Sequence, residues 1–494
     1  MLFTTATFVL LFLPAALAGF FVLGRRSQRA AAAWLFGVSL FFYGWWMPKF
    51  TLLLLASIGI NFSLGLRIAR VVDAQGQGAA RRWLALGVAF NLLLLGYFKY
   101  ANFFLDNVNA LAGTHWTLAG VVLPIGISFY SFTQIAFLVD TWHGKVREFQ
   151  LVHYGLFVTY FPHLVAGPVL HHAQMMPQFA RATTYRFDGA NFSAGLAIFA
   201  IGLFKKVVLA DGIAPYADAV FNPADAGAVP GTHEAWIAAL AYTLQLYFDF
   251  SGYSDMAIGL SWMFNIRLPY NFNSPYQATN ISDFWRRWHI SLSTFLRDYL
   301  YIALGGNRHG ALRRYVNLAA TMVLGGLWHG ASWAFVLWGA LHGAYLMVNH
   351  GFRALCGEAL SRRLQGNRAF MLASWALTML CVVVAWVFFR AATLDGALAM
   401  LRAMAGAGDA SALQALLWNA GLQPSTGALW CLALGALAVL APNSNRIGER
   451  LLDNARRYPA THVGAGSFVA CAALMLVLLN TARDAVSAFI YFNF

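Results

Sequence analysis

In this 494-residue chain the residue types best suited to chemistry are two histidines among tryptophans, two carboxylates inside an apolar run, and a tyrosine near the carboxyl end. His329 lies in Gly325-Gly326-Leu327-Trp328-His329-Gly330, well inside an apolar segment and flanked by small residues that leave room for a substrate beside Trp328. An imidazole in such a place can take a proton from an attacking hydroxyl, which is the work of a general base. Haem or metal ligation is the competing chemistry, with His342 on the following stretch as partner. Neither cysteine nor carboxylate accompanies that pair at ligand spacing, so no metal is expected. His289 lies in Ser282-Asp283-Phe284-Trp285-Arg286-Arg287-Trp288-His289-Ile290-Ser291, one helical turn after Trp285, and reads either as a hydrogen-bonded core histidine or as a member of the site.

The carboxylates are Asp249 and Asp255, in Tyr247-Phe248-Asp249-Phe250-Ser251-Gly252-Tyr253-Ser254-Asp255. Charges at membrane depth cost several kcal/mol unless paired or wet, so these two either hold helices together or contact substrate. Arg286 and Arg287 suit a fork for the phosphates of a nucleotide or phosphopantetheine group, or contact with lipid headgroups. Ser282 is the expected N-cap of a helix with Asp283 in its first turn. On that helix Trp285, Trp288, Leu292, Phe295, Leu296, Tyr299 and Leu300 share one face, opposite Arg286, Arg287 and Arg297. The pattern predicts an interfacial helical segment at about 270–312, apolar face in the membrane and cationic face wet.

Those residues must be positioned by membrane helices. Of the chain 60% is hydrophobic and 11% charged, against roughly 25% charged in ordinary soluble domains. Apolar runs at 7–23, 31–46, 50–68, 84–98, 118–139, 154–170, 194–210, 236–264, 316–348, 371–389, 428–440 and 468–479 predict about eleven to thirteen spans, two of the runs being long enough to be broken or double. An all-α polytopic membrane protein with a single membrane-embedded domain over 1–494 is the expected architecture. Arg25, Arg26 and Arg29 follow the first run, Arg67, Arg70, Arg81 and Arg82 the third, and Lys145 and Arg147 the fifth. This alternation predicts that these loops are cytoplasmic and the N-terminus outside. Ala16-Leu17-Ala18 resembles a cleavage site, but no basic residue precedes it, which is the wrong polarity for a cleaved signal. The net charge of +14 sits largely in short loops beside the spans, where attraction to membrane lipid explains it, so no nucleic-acid partner is expected. The four cysteines show no paired spacing and imply neither a disulfide framework nor a metal knuckle.

Four blocks in this order resemble the membrane-bound O-acyltransferase family, specifically its bacterial alginate O-acetyltransferase branch: Phe161-Pro162-His163-Leu164-Val165-Ala166-Gly167-Pro168, the Asp249–Asp255 stretch, Asp283 to Leu292, and Gly325 to Gly330. The resemblance implies that His329 is the active-site histidine and that His289 takes the second polar position of the pair. It also implies a ring of tilted helices around a thinned centre, with funnels from both sides meeting near the histidine. The expected reaction is acetyl transfer from a cytoplasmic thioester, acetyl-CoA, with no bound cofactor. The acceptor is a secreted polysaccharide such as alginate or cellulose, or a periplasmic partner transferase. The setting is the bacterial inner membrane. The C-terminal Phe489-Ile490-Tyr491-Phe492-Asn493-Phe494 resembles an aromatic motif of D-alanyl transfer systems, whose tyrosine is thought to accept the acyl group. Arg446, Arg450, Arg456 and Arg457 precede the last run and place Tyr491 outside. Tyr491 is either an acyl carrier activated by a base or an aromatic-belt anchor. From a different class, a transporter moving a lipid-linked or anionic precursor also fits broken spans and midplane charges.

Overall fold

A computed structural model describes residues 2–118, 120–146, 148–165, 167–408 and 415–481. Arg147, Ala166 and the C-terminal motif with Tyr491 lie outside the described residues. Every regular element among them is helical, since in hydrocarbon a helix satisfies its own backbone hydrogen bonds. Among the helices that precede the histidine motifs are α1 (Phe8–Gly24), α2 (Gln28–Trp46), α3 (Pro48–Ala112), α4 (Ile127–Trp142), α5 (Leu151–Thr159), α6 (Gly189–Asp225) and α7 (Thr232–Met263). The motifs themselves sit on α8 (Ile281–Arg287), α9 (Ile290–Phe295) and α10 (Gly310–His329). After them come α11 (Trp333–Gln365), α12 (Arg368–Arg390), α13 (Pro424–Leu440), α14 (Ser444–Arg457) and α15 (Gly464–Thr481).

Apolar runs and helices do not coincide one to one. Among the described residues, α3 at 65 residues, α6 at 37 and α12 at 23 are long and apolar enough to cross a bilayer. The pair α13 and α14, bent by 54°, makes a fourth if taken as one span. Helix α3 covers two of the expected spans and turns back at Gly76, whose φ of 80° favours a residue without Cβ. Asn61 before that turn and Asn91 after it hydrogen-bond one another, so the two arms lie side by side. The run at 154–170 is interrupted at Tyr160 (ψ 111°), and the run at 316–348 divides between α10 and α11.

The chain packs as two compact units. The first comprises the described residues of 2–203, Tyr253–Tyr270 and 444–481. Its helices are joined by buried amides: Asn91 Nδ2 donates to Asn61 Oδ1 at 2.7 Å, and Gln134 Nε2 donates to Ser57 Oγ at 2.9 Å. Such bonds hold membrane helices together where apolar surface gives no preference between lipid and neighbour. Trp142 Nε1 donates to the Gln77 carbonyl at 2.8 Å, tying the end of α4 to the Gly76 turn. Gln28 and Arg29 share a cleft with Glu148 and Gln150. The loops after the first, third and fifth apolar runs therefore lie at one end of this unit.

The second unit comprises Phe204–Gly252 and Asn271–Asn443. Its centre is the hairpin of α10 and α11. A Cβ at Gly326 would overlap the Phe335 carbonyl oxygen, and one at Gly339 the Met322 carbonyl oxygen. The two glycines let the helix backbones touch, which fixes the end of α10 where His329 sits.

Candidate active site

His289 occupies a break in the chain. The Asn280 side chain accepts a hydrogen bond from the Asp283 N–H at 2.9 Å, so α8 is capped by Asn280 and not, as expected, by Ser282. The Ser282 hydroxyl instead accepts from Asn349 Nδ2 at 2.8 Å. Helix α8 ends at Arg287, Trp288 is extended, and His289 adopts φ 43°, ψ 53° before α9 begins. The single helix expected from the Trp285–Leu300 periodicity is thus broken at the histidine. The cause is Asn271: its carbonyl accepts from the Ile290 N–H at 3.0 Å, and its Oδ1 accepts from Ser291 Oγ at 2.6 Å. A left-handed conformation in a residue with a Cβ costs roughly 1–2 kcal/mol, and these bonds to both following residues hold it in place.

The apolar face of this segment also differs from expectation. Trp288, Leu292, Phe295 and Leu296 are buried by the protein itself and not by lipid. Trp288 stacks on Phe284 with ring centres 5.7 Å apart and meets Trp386 at 4.9 Å. Its aromatic residues form the wall behind the histidine.

His329 ends α10, and its ring centre lies 6.4 Å from that of His289. Both are nearly fully buried, at 4% and 1% exposed. Trp328 packs on His329 at 5.0 Å, with Trp338 and Phe389 at 5.1 Å each, while Phe250 of α7 meets His289 edge-on at 4.7 Å. His289 lies in the turn between α8 and α9, outside the spans, and burial lowers its pKa to about 3, leaving it neutral at ordinary pH. His342, the other imidazole weighed for ligation, is fully buried in the same aromatic cluster, and its Nδ1 accepts from Trp285 Nε1 at 3.3 Å. No group of three or more His, Cys, Asp or Glu among the described residues could hold a metal ion.

The carboxylates separate. Asp249 is 1% exposed and its Oδ1 lies 2.6 Å from Lys206 Nζ, which also donates to Asp211 Oδ1 at 2.7 Å. Asp255 stands six residues further along α7, a rise of about 9 Å, on another face and in the first unit. Arg287 is engaged locally: its Nε donates to Asp283 at 2.9 Å and its Nη1 to the Asn273 carbonyl at 3.3 Å. Arg286 is exposed. Two groups had not been singled out in the sequence. Lys206 lies in a Lys-Lys pair four residues before the end of the apolar run at 194–210, where such a pair reads as the membrane boundary. Asn271 had no local signal, because what it does depends on residues that follow it at long range.

With this geometry in hand, the chain matches the family model described as the membrane-bound O-acyltransferase family over residues 142–389. It is 44% identical over 433 residues to a protein of Helicobacter pylori named "Peptidoglycan O-acetyltransferase", covering 82% of this chain and 80% of that one. It is 46% identical over 415 residues to the "Probable alginate O-acetylase" of Azotobacter vinelandii, covering 83% and 79%. A more distant likeness, 28% over 243 residues, is to the "Teichoic acid D-alanyltransferase" of Bacillus subtilis, covering 46% and 59%.

Proposed function

Since this chain belongs to the membrane-bound O-acyltransferase family and is therefore an acyltransferase, we propose that it moves acetyl groups from a cytoplasmic thioester to a glycan hydroxyl outside the inner membrane, with His329 as general base. The observation that carries this reading is the meeting of His289 and His329, brought from separate motifs to 6.4 Å in one buried aromatic site. Relatives named for O-acetylation of peptidoglycan and alginate support acetyl as the group and a glycan as acceptor. The family replaces the reading of a transporter without covalent chemistry.

In the proposed step a hydroxyl oxygen attacks the thioester carbonyl carbon of acetyl-CoA while His329 takes its proton. The carbon–sulfur bond then breaks, and the departing sulfur receives that proton from the imidazolium. Assistance of this kind is typically worth 10²–10⁴-fold. His289 stands on the other side of the site, neutral and able to hydrogen-bond the reacting groups. The hydroxyl is that of the polysaccharide, of a periplasmic partner transferase, or of Tyr491 acting as a relay. A phenol with pKa near 10 needs such a base before it attacks. Basic loops gathered at one end of the first unit support a cytoplasmic donor side, with both termini outside.

Purified protein with acetyl-CoA and acceptor glycan, assayed for free thiol and for ester acetate, tests this. Equimolar release and esterification are expected; binding of the thioester without thiol release would refute it. Removing the last four residues tests the relay separately: unchanged export of acetyl groups would rule it out.

A further inference from the structure

A cavity of about 940 Å³ opens in the first unit between the α1–α2 turn and the segment Ala182–Phe187. Arg25, Arg26, Arg29 and Arg186 line it, and no carboxylate does. None of the four arginines is ion-paired among the described residues. The adjoining cleft, which shares Arg29, contains Glu148, but that carboxylate is held by His153.

The walls are rigid. The Tyr185 hydroxyl donates to the Phe179 carbonyl at 2.7 Å, Thr184 Oγ1 to the Gln178 carbonyl at 2.6 Å, and Asn265 Nδ2 to the Arg186 carbonyl at 2.6 Å. On the opposite wall, Gly24 at the end of α1 lies so close to the Tyr185 carbonyl that a Cβ would stand 2.8 Å from it. Four exposed guanidinium groups around one cleft that no carboxylate lines make it strongly cationic. Guanidinium forks match phosphate oxygens in pairs, and the volume suits a ligand of nucleotide or headgroup size.

We propose that this cleft binds a phosphate-bearing ligand, with Arg25, Arg26, Arg29 and Arg186 supplying the phosphate contacts. Two sources present the same chemistry: the phosphates of a soluble nucleotide-type donor such as CoA, or the headgroup of an anionic phospholipid. Phe187, more than half exposed at the rim, gives an adenine ring a stacking face. The nucleotide source rests on the proposed use of a CoA thioester; the lipid source does not.

The test uses the full chain in phosphatidylcholine nanodiscs, with no turnover involved. Affinity for CoA and for adenosine 3′,5′-bisphosphate is measured by calorimetry, and phosphatidylglycerol retained after detergent extraction is measured by mass spectrometry. Both are compared for wild type, Arg25→Gln/Arg29→Gln/Arg186→Gln, and a control Arg81→Gln/Arg82→Gln that removes charge from another basic loop at the same end. A tenfold or greater weakening of bisphosphate binding in the triple variant alone assigns the nucleotide source. A tenfold fall in retained phosphatidylglycerol in the triple variant alone, undisplaced by CoA in wild type, assigns the lipid source. Equal effects in the triple and control variants, or none in either, overturn the proposal. Arg186→Gln alone, on an exposed side chain without an ion pair among the described residues, gives the same reading if the triple variant fails to fold.

Discussion

Replacing Lys206 by methionine removes the ammonium that lies 2.6 Å from Asp249 and 2.7 Å from Asp211. The two carboxylates differ in what they then face. Asp211 keeps 20% of its side chain exposed and is relieved by water, whereas Asp249 is 1% exposed and bears the cost. Breaking a buried pair from one side typically costs about 3–5 kcal/mol, a factor of roughly 10²–10⁴ in the folding equilibrium. Removing both charges together, in Lys206→Met/Asp249→Asn, is expected to recover much of that loss, with a coupling on the order of 1–3 kcal/mol. The assay is the unfolding midpoint of purified protein in detergent, read by tryptophan fluorescence for the two single variants and the double, with acetyl transfer measured per folded molecule. A Lys206→Met protein as stable as wild type, or strictly additive single effects, would refute the pairing. A double variant that is stable yet inactive would return Asp249 to the substrate.

Asn271→Ala removes the acceptor of the Ser291 hydroxyl, the side-chain half of the grip on the His289 turn, and leaves the backbone bond from Ile290. It is expected to cost about 1–3 kcal/mol of stability. It should also lower kcat on the order of tenfold, with KM for the donor nearly unchanged, because a displaced histidine harms the chemical step more than binding. Asn271→Ala/Ser291→Ala should be no worse than Asn271→Ala, and an additive double variant would show that the two act separately. Gly326→Ala forces a methyl group onto the Phe335 carbonyl, so melting should shift downward by the equivalent of about 1–3 kcal/mol and activity should fall with it. Gly351→Ala on α11, where the new Cβ meets nothing within 4 Å, should change neither, and the contrast in melting and turnover checks the hairpin argument.

What the sequence made legible was what depends on composition and on contiguous motifs. Apolar runs and sparse charge give a helical membrane protein, and Gly325–Gly330 singles out His329, which the fold brings beside His289. The break at His289 was not legible. Trp285, Trp288 and Leu292 keep helical spacing across it, and the chain departs from the helix only because Asn271 captures Ile290 and Ser291 from outside the motif. Lys206 was missed for a related reason: at the end of an apolar run a lysine reads as a snorkelling boundary residue, and its partner Asp249 stands on another helix. Ser282 looked like a cap by type, but Asn280, with the same capping chemistry, lies at the position where the geometry puts the first free N–H groups. Gly76 carried a turn that long apolar runs concealed.

In the proposed reaction His329 takes the proton from the attacking hydroxyl. The most direct measurement is ester-linked acetate on the cell's glycans, released by mild base, in a deletion strain complemented with wild type or with His329→Ala at equal protein abundance. Acetyl transfer is expected to fall by about 10²-fold or more in the variant. Acetylation by His329→Ala at the wild-type level would contradict it.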